Sequence, residues 1–311
     1  MPNELRAAYA KALINEARIN DRIVVLEADL MGASGTKAFK NEFPSRLINV
    51  GVAEANMVGM AAGLSINGFI PFADTFGTFA SRRAFDQFFI SGAYAKTNIK
   101  LVGTDPGVGA QYNGGTHMPF EDTGMMRLVP ELVIVEPSDS VSAGAFVHLL
   151  AEHKGCTYMR LHRKGLDDIY DQSASFSLGQ AKVLIEGDDV VIFAFGAIPV
   201  HEALKVADIL KDKGISITVV DLLSIKPLDV STVISYAKKA KYIFTSENNQ
   251  IQGGVYSLIL ETLNENNIFK KVNPIGVHYK FGQVGDLEYL KKAYGMDKDS
   301  IVEYILKIIN K

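Results

Sequence analysis

Short, continuous apolar runs recur along this chain, and stretches whose apolar residues fall at helical spacing lie between them. Strands are expected over residues 23–26, 47–50, 69–73, 99–103, 132–135 and 157–161. Helices are expected over 3–18, 53–66, 76–95, 122–128 and 139–152. Strands that are apolar throughout, rather than alternating, are buried on both faces, as in a mostly parallel sheet covered by helices. The polar stretch 167–175 interrupts the pattern, which then resumes with strands over 190–195, 215–222 and 242–245. Helices over 199–213, 228–238 and 299–309 accompany them. The organisation predicted is an α/β domain over 1–170, a linker over 171–178 and a second α/β domain over 179–311.

The 311 residues are enough for two separate cores, and 48% hydrophobic with 22% charged residues is an ordinary globular balance. A net charge of −3 supplies no broad basic field, so neither nucleic acid nor an anionic membrane is an expected partner. Cys156 is the only cysteine, which leaves no intrachain disulfide and no thiolate metal cluster. The N-terminal residues lack the apolar core of a signal peptide, and no apolar run approaches the roughly 20 residues of a membrane span. A cytoplasmic protein is expected. Phosphate-binding GxxxxGK[ST], dinucleotide GxGxxG and metal-binding HExxH patterns are missing.

Three segments stand out. In the first, Gly51-Val-Ala-Glu54, Glu54 shares a helical stripe with Met57, Val58 and Ala61, so its carboxyl is directed toward a core. Burial disfavours the charged form, and such an acid is a candidate either for chemistry or for a structural partner. Gly59, Ala61, Ala62 and Gly63 suggest that another backbone packs close to the same turns. The second segment, Thr75-Phe-Gly-Thr-Phe79, puts two aromatics one turn apart, with Arg82 or Arg83 continuing their face. The third is a glycine-rich loop, Asn113-Gly-Gly-Thr-His-Met-Pro119, after the strand 99–103. Glycines allow a ligand close to the backbone, and ligands of open parallel sheets bind at the carboxyl ends of strands. All three segments follow strands of one sheet and are placed to meet at one edge.

Together, in this order, they resemble the transketolase family of thiamine diphosphate enzymes, whose motifs are G-[IV]-A-E, S/T-F-x-x-F and D-G-P-T-H-x-P. The resemblance runs through the whole chain, with 190–196 similar to the start of the family's C-terminal domain. It implies a pyrimidine-binding domain followed by a transketolase C-terminal-like domain. It also assigns roles. Glu54 would hold the aminopyrimidine in the tautomer that removes the thiazolium proton, while Phe76 and Phe79 would flank that ring, Arg82 or Arg83 would lie at its rim and Asp29 near it. His117 would stabilise the alkoxide developing on the substrate carbonyl. Arg163 and Arg6 would hold a sugar phosphate, for which a guanidinium fork is suited. Asn113 stands where the family carries Asp to read a sugar hydroxyl, and Thr104 where it carries histidine; both departures bear on the substrate.

The resemblance further implies a missing half. Full-length members carry a Gly-Asp-Gly…Asn motif that binds magnesium and the diphosphate, and this sequence has none. An N-terminal partner subunit holding Mg2+ or a similar ion is therefore expected, in an α2β2 assembly that transfers a two-carbon ketol unit between sugar phosphates. Alternatives are the β subunit of a 2-oxoacid dehydrogenase decarboxylating component, a 1-deoxyxylulose-5-phosphate synthase-like enzyme and a non-catalytic subunit. The Thr-His-Met-Pro segment favours transketolase over the first of these.

Overall fold

The computed structural model describes residues 3–310. The chain forms two units: residues up to 106 together with 125–178, and 107–124 together with 179 onward.

The first unit contains α1 (Leu5–Ile19), β1 (Ile23–Glu27), β2 (Leu47–Asn49), α2 (Glu54–Ile66), β3 (Ile70–Phe76) and α3 (Gly77–Arg82). It continues with β4 (Lys100–Thr104), β5 (Val133–Val135), α4 (Ser140–Glu152) and β6 (Thr157–Leu161). Within this unit the strands lie side by side in the order β5-β6-β4-β3-β1-β2, every pair parallel. Every residue of β1, β4 and β6 is buried, Glu27, Lys100 and Arg160 included, as strands covered on both faces require. The chain leaves β1 for β2 at the sheet's edge, then returns across β1 to form β3. The order therefore reverses between β1 and β3, and in open parallel sheets the carboxyl ends of strands at such a reversal form the crevice where ligands bind.

Helix α1 buries Leu5, Tyr9, Leu13 and Ala17 at four-residue spacing. Helix α2 buries Glu54, Met57, Val58, Ala61 and Ala62, the expected stripe. Gly59 and Gly63 differ from expectation: they lie on the exposed face, with nothing within 4 Å of where a Cβ would stand. The continuous helix expected over 76–95 is broken. Phe76 closes a strand, α3 ends at Arg82, and a short helix Phe85–Gln87 passes into a π-helical stretch, Phe88–Tyr94.

Asp139 starts α4 and also ties down the segment leaving the first unit. One carboxylate oxygen accepts from the Ser142 N–H at 2.8 Å, and the other from the Ile169 and Tyr170 N–H groups, both at 2.8 Å. Asp139→Ala would remove a cap and leave one buried and two half-buried N–H donors unmatched. We expect a loss of about 3 kcal/mol in urea unfolding, beyond the usual cost of losing a cap alone. A loss near zero would show that solvent replaces these bonds.

The second unit has a five-stranded sheet. Its elements are β7 (Lys182–Ile185), β8 (Val190–Phe195), α5 (Ala197–Lys211), β9 (Ile217–Asp221), α6 (Val230–Lys239), β10 (Tyr242–Gln250), α7 (Val255–Glu265), β11 (Val272–Val277), α8 (Leu287–Ala293) and α9 (Lys298–Ile309). The order is β11-β10-β8-β9-β7, parallel except for β7. Strand β10 runs five residues beyond the expected 242–245, through the polar, buried Glu247, Asn248 and Asn249. They are tolerated because they are bonded: Glu247 accepts from the N–H groups of Val255 (2.7 Å) and Tyr256 (2.8 Å), at the start of α7.

Candidate active site

Glu54 is the first residue of α2 and only 3% exposed. Its partner is Arg83, whose Nη1 donates to Oε1 at 3.0 Å and Oε2 at 3.3 Å. The same guanidinium lies 3.8 Å from the centre of the Phe79 ring. A buried carboxyl, a cation and an aromatic face are thus joined, which is the polar satisfaction that burial demands. The structure brings Arg83 rather than Arg82 to Glu54. Arg82 is exposed and bonds to the Thr78 hydroxyl, one turn earlier on α3.

Phe76 and Phe79 pack as a tilted pair, with ring centroids 6.1 Å apart. The glycine between them has a steric reason. A Cβ on Gly103 of β4 would stand 2.8 Å from the Gly77 backbone, so strand and helix start touch where neither has a side chain. That contact fixes the aromatic turn at the carboxyl end of β3, beside the crevice.

Asp29 follows β1 in a left-handed conformation, φ +65°. Asn49, at the end of β2, holds it: Asn49 Oδ1 accepts from the Asp29 N–H at 3.0 Å, and Asn49 Nδ2 donates to the Asp29 carboxylate at 3.2 Å. The same oxygen accepts from the Gly51 N–H at 3.1 Å, three residues before Glu54. Asn49 therefore links the Asp29 turn to the Glu54 segment, a role that no motif announced.

The two candidate anion-binding arginines are both engaged by carboxylates. Arg163 meets Asp105 with Nε at 3.0 Å and Nη2 at 2.8 Å, and lies 5.7 Å from the centre of the Phe76 ring. Asp105 is buried with φ +57°; burial pushes its carboxyl up to about 6, against the lowering effect of Arg163. Arg6 is paired with Glu4 at 2.8 and 3.2 Å, and its Nη1 donates to the Gly32 and Ala33 carbonyls. A two-residue antiparallel ribbon pairs Asn3–Glu4 with Gly165–Leu166, drawing the start of α1 to the segment after Arg163. Thr104, where the family carries histidine, is buried and bonds to the Thr75 carbonyl at 3.4 Å.

His117 and Asn113 sit in the loop 107–124, which belongs with the second unit rather than with a continuous domain 1–170. The reason is Asn248, whose side-chain oxygen accepts from the Val108 N–H at 2.9 Å. Gly107, at φ +51°, is so close that a Cβ there would stand 2.1 Å from that oxygen. The Gln250 N–H donates to the Phe120 carbonyl at 2.6 Å, and the Phe120 ring meets Tyr294 edge-on. Asn113 is exposed; His117 is half-buried, its Nδ1 2.9 Å from the Thr116 hydroxyl. Among the described residues no group of three or more His, Cys, Asp or Glu side chains is arranged to hold a metal ion.

Glu54, Arg83, Phe79 and Phe76 thus form one chain of contacts near the sheet's reversal point, and Asp29 is tied to the Glu54 segment through Asn49. Residues 2–167 match the transketolase pyrimidine-binding domain and residues 179–301 the transketolase C-terminal domain; the chain belongs to the transketolase family, whose cofactor is thiamine diphosphate. It is 44% identical to a 6-deoxy-6-sulfo-D-fructose transketolase subunit of Clostridium sp. (strain MSTE9), over 96% of this chain and 92% of that one. It is 38% identical to a putative transketolase C-terminal section of Methanocaldococcus jannaschii, over 99% and 96%. Human transketolase is 34% identical over 98% of this chain, but that match spans only 49% of the human protein. Among solved structures, a split-gene transketolase described as an inactive β4 tetramer superposes with a TM-score of 0.90 at 36% identity, covering 98% of this chain and 97% of that one.

Proposed function

We propose that this chain is the cofactor-activating subunit of a split transketolase, moving a two-carbon ketol unit from an anionic ketose to an aldose acceptor. The observation that carries this reading is the buried Glu54 carboxyl beside the aromatic pair, at the reversal point of a parallel sheet. Thiamine diphosphate supplies the nucleophilic thiazolium carbon. The residues here fit its pyrimidine end: aromatic faces in Phe76 and Phe79, a carboxyl in Glu54 for a ring nitrogen, and Asp29 at the crevice's other lip. Glu54 holds a proton at the pyrimidine, and Arg83 steadies the carboxyl that does so. By the family motif alone, His117 would meet the oxygen of the substrate carbonyl, and Asn113 a sugar hydroxyl. Arg82 lies at the rim.

The diphosphate and its Mg2+ are assigned to an N-terminal partner subunit carrying Gly-Asp-Gly…Asn. Self-association into α2β2 is supported by the open Gly59–Gly63 face of α2, flanked by exposed Val52, Met60 and Ile66. No helix among the described residues is long and apolar enough to cross a membrane, and a cytoplasmic enzyme is proposed. The Arg6 and Arg163 pairs suit the anionic end of a sugar phosphate. The Clostridium relative is named for a sulfonated sugar, whose sulfonate presents similar oxygens.

The test is a coupled assay with this chain, the N-terminal subunit, thiamine diphosphate and Mg2+, offering fructose 6-phosphate and its 6-sulfonate as separate donors. Turnover of neither sinks the reading. In the active assembly, Arg163→Ala should lower kcat/KM for the anionic donor by about 100-fold, the worth of one or two charge-assisted hydrogen bonds. An uncharged ketol donor should lose far less; equal loss on both would show that Arg163 only supports Asp105.

A further inference from the structure

Glu27 closes β1 and Asp74 lies beside it on β3; the two are register partners in the parallel ladder, and both are 0% exposed. Tyr9 of α1, equally buried, faces Asp74. Neither carboxyl belongs to a motif. Their surroundings are unequal. Burial pushes the Glu27 carboxyl up to about 7, but the hydroxyls of both Ser34 and Thr36 donate to its Oε1 and, with the Leu30 backbone, favour its charge. With both carboxyls taken as ionised, Glu27 Oε2 and both Asp74 oxygens are left without a donor, and the Tyr9 hydroxyl makes no hydrogen bond of ordinary geometry. Two carboxylates side by side in a dry interior cannot both stay ionised. The donors decide which one keeps its charge: Glu27 has several and Asp74 has at most the phenol.

We propose that Asp74 is held as a neutral acid donating its proton to the Glu27 carboxylate, and that this pair positions the loop 28–36 carrying Asp29. The hydroxyl bonds from Ser34 and Thr36 to Glu27 fasten the far end of that loop, and Arg6 bonds to its Gly32 and Ala33 carbonyls. Without the Asp74 proton, Glu27 would face a like charge and the loop's anchor would loosen. The titratable groups around the pair are Tyr9 from α1 and Asp29 from the loop itself. Burial and the Glu27 charge raise the Asp74 carboxyl well above its ordinary value, consistent with a retained proton. The assignment of the proton is independent of function; the positioning of Asp29 rests on the thiamine diphosphate reading.

The experiment exploits the asymmetry. Asp74→Asn replaces an O–H donor by an N–H donor, whereas Glu27→Gln replaces the acceptor by an amide that meets two hydroxyls and an acid. Chemical unfolding of the full chain, without cofactor, is measured from pH 4 to 9. Wild-type stability should fall as pH rises from about 4, because the folded chain keeps the Asp74 proton and the unfolded chain releases it; Asp105 and Glu27, raised to about 6 and about 7, add to the fall below pH 7. Asp74→Asn should lose one proton's share of that slope, read most cleanly above pH 7, and remain as stable as wild type or more so at pH 8. At pH 8 the infrared band of a protonated carboxyl should be present in wild type and absent in Asp74→Asn. In the active assembly, Glu27→Gln should weaken apparent thiamine diphosphate binding about tenfold, with kcat at saturating cofactor changed far less. An unchanged slope in Asp74→Asn, or dependence of the slope on added sodium or potassium, overturns the proton assignment. Unaltered cofactor affinity in folded Glu27→Gln overturns the positioning. Failure of the wild-type assembly to turn over any ketose would instead defeat the transketolase reading and leave the slope to be judged by itself.

Discussion

Glu54→Gln is expected to lower kcat of the reconstituted assembly by a factor of about 10²–10⁴, the usual worth of a positioned acid–base group. The substitution changes little else. Glutamine has the same shape, and its amide oxygen still accepts from Arg83, which stands 3.0 Å from the native carboxyl. Arg83 is 49% exposed and is solvated readily if that bond weakens. The variant should therefore fold, assemble and bind thiamine diphosphate nearly as wild type while failing to hold a proton at the pyrimidine. Two measurements decide the matter: kcat under saturating cofactor, and cofactor affinity by calorimetry. If kcat stays within a few-fold of wild type, Glu54 is a structural partner of Arg83 and nothing more. If affinity collapses along with kcat, its role is to bind the ring rather than to exchange its proton. Arg83→Ala is the counterpart; it leaves a 3%-exposed carboxyl without its cation and should cost stability as well as rate.

The parallel order of strands was legible because runs such as 23–26 and Val190–Phe195 are apolar throughout. The buried stripe of α2 was legible because Glu54, Met57, Val58 and Ala61 follow the helical period. Where reading failed, the cause was contact between distant segments. Gly59 and Gly63 look like sites of close approach, but on the isolated chain they face open space. Arg82 and Arg83 are adjacent in sequence, and only the course of α3 decides which one reaches Glu54. Glu247, Asn248 and Asn249 look like the end of a strand, yet they extend β10 because an N-terminal cap and a loop 140 residues away satisfy them. Glu27 and Asp74 carry no pattern at all; strand register alone makes them neighbours. The loop 107–124 was identified from its glycines and histidine, but its anchoring by Asn248 was beyond the reach of periodicity.

Without a partner, this polypeptide should show no detectable ketol transfer, and the defect should be traceable to the diphosphate. On the proposed reading, the turn after β3 and the start of α2 offer aromatic faces and a carboxyl to a pyrimidine. No Gly-Asp-Gly string occurs in the 311 residues, and no metal-holding cluster occurs among the described ones. A diphosphate left in water contributes nothing to affinity, so the chain alone should bind thiamine and thiamine diphosphate about equally, and weakly. Adding an N-terminal subunit with Mg2+ should favour thiamine diphosphate over thiamine by a factor of about 10²–10⁴. That corresponds to two charge-assisted hydrogen bonds of about 1.5–3 kcal/mol each. Calorimetry with both ligands, with and without the partner, measures the difference. Strong preference for the diphosphate by the chain alone would mean that this chain holds the anionic end itself, and appreciable turnover in that state would end the split-site reading. With the expected result, the gain in diphosphate affinity and the appearance of activity should follow the same dependence on partner concentration. One association event then completes both the binding site and the catalyst.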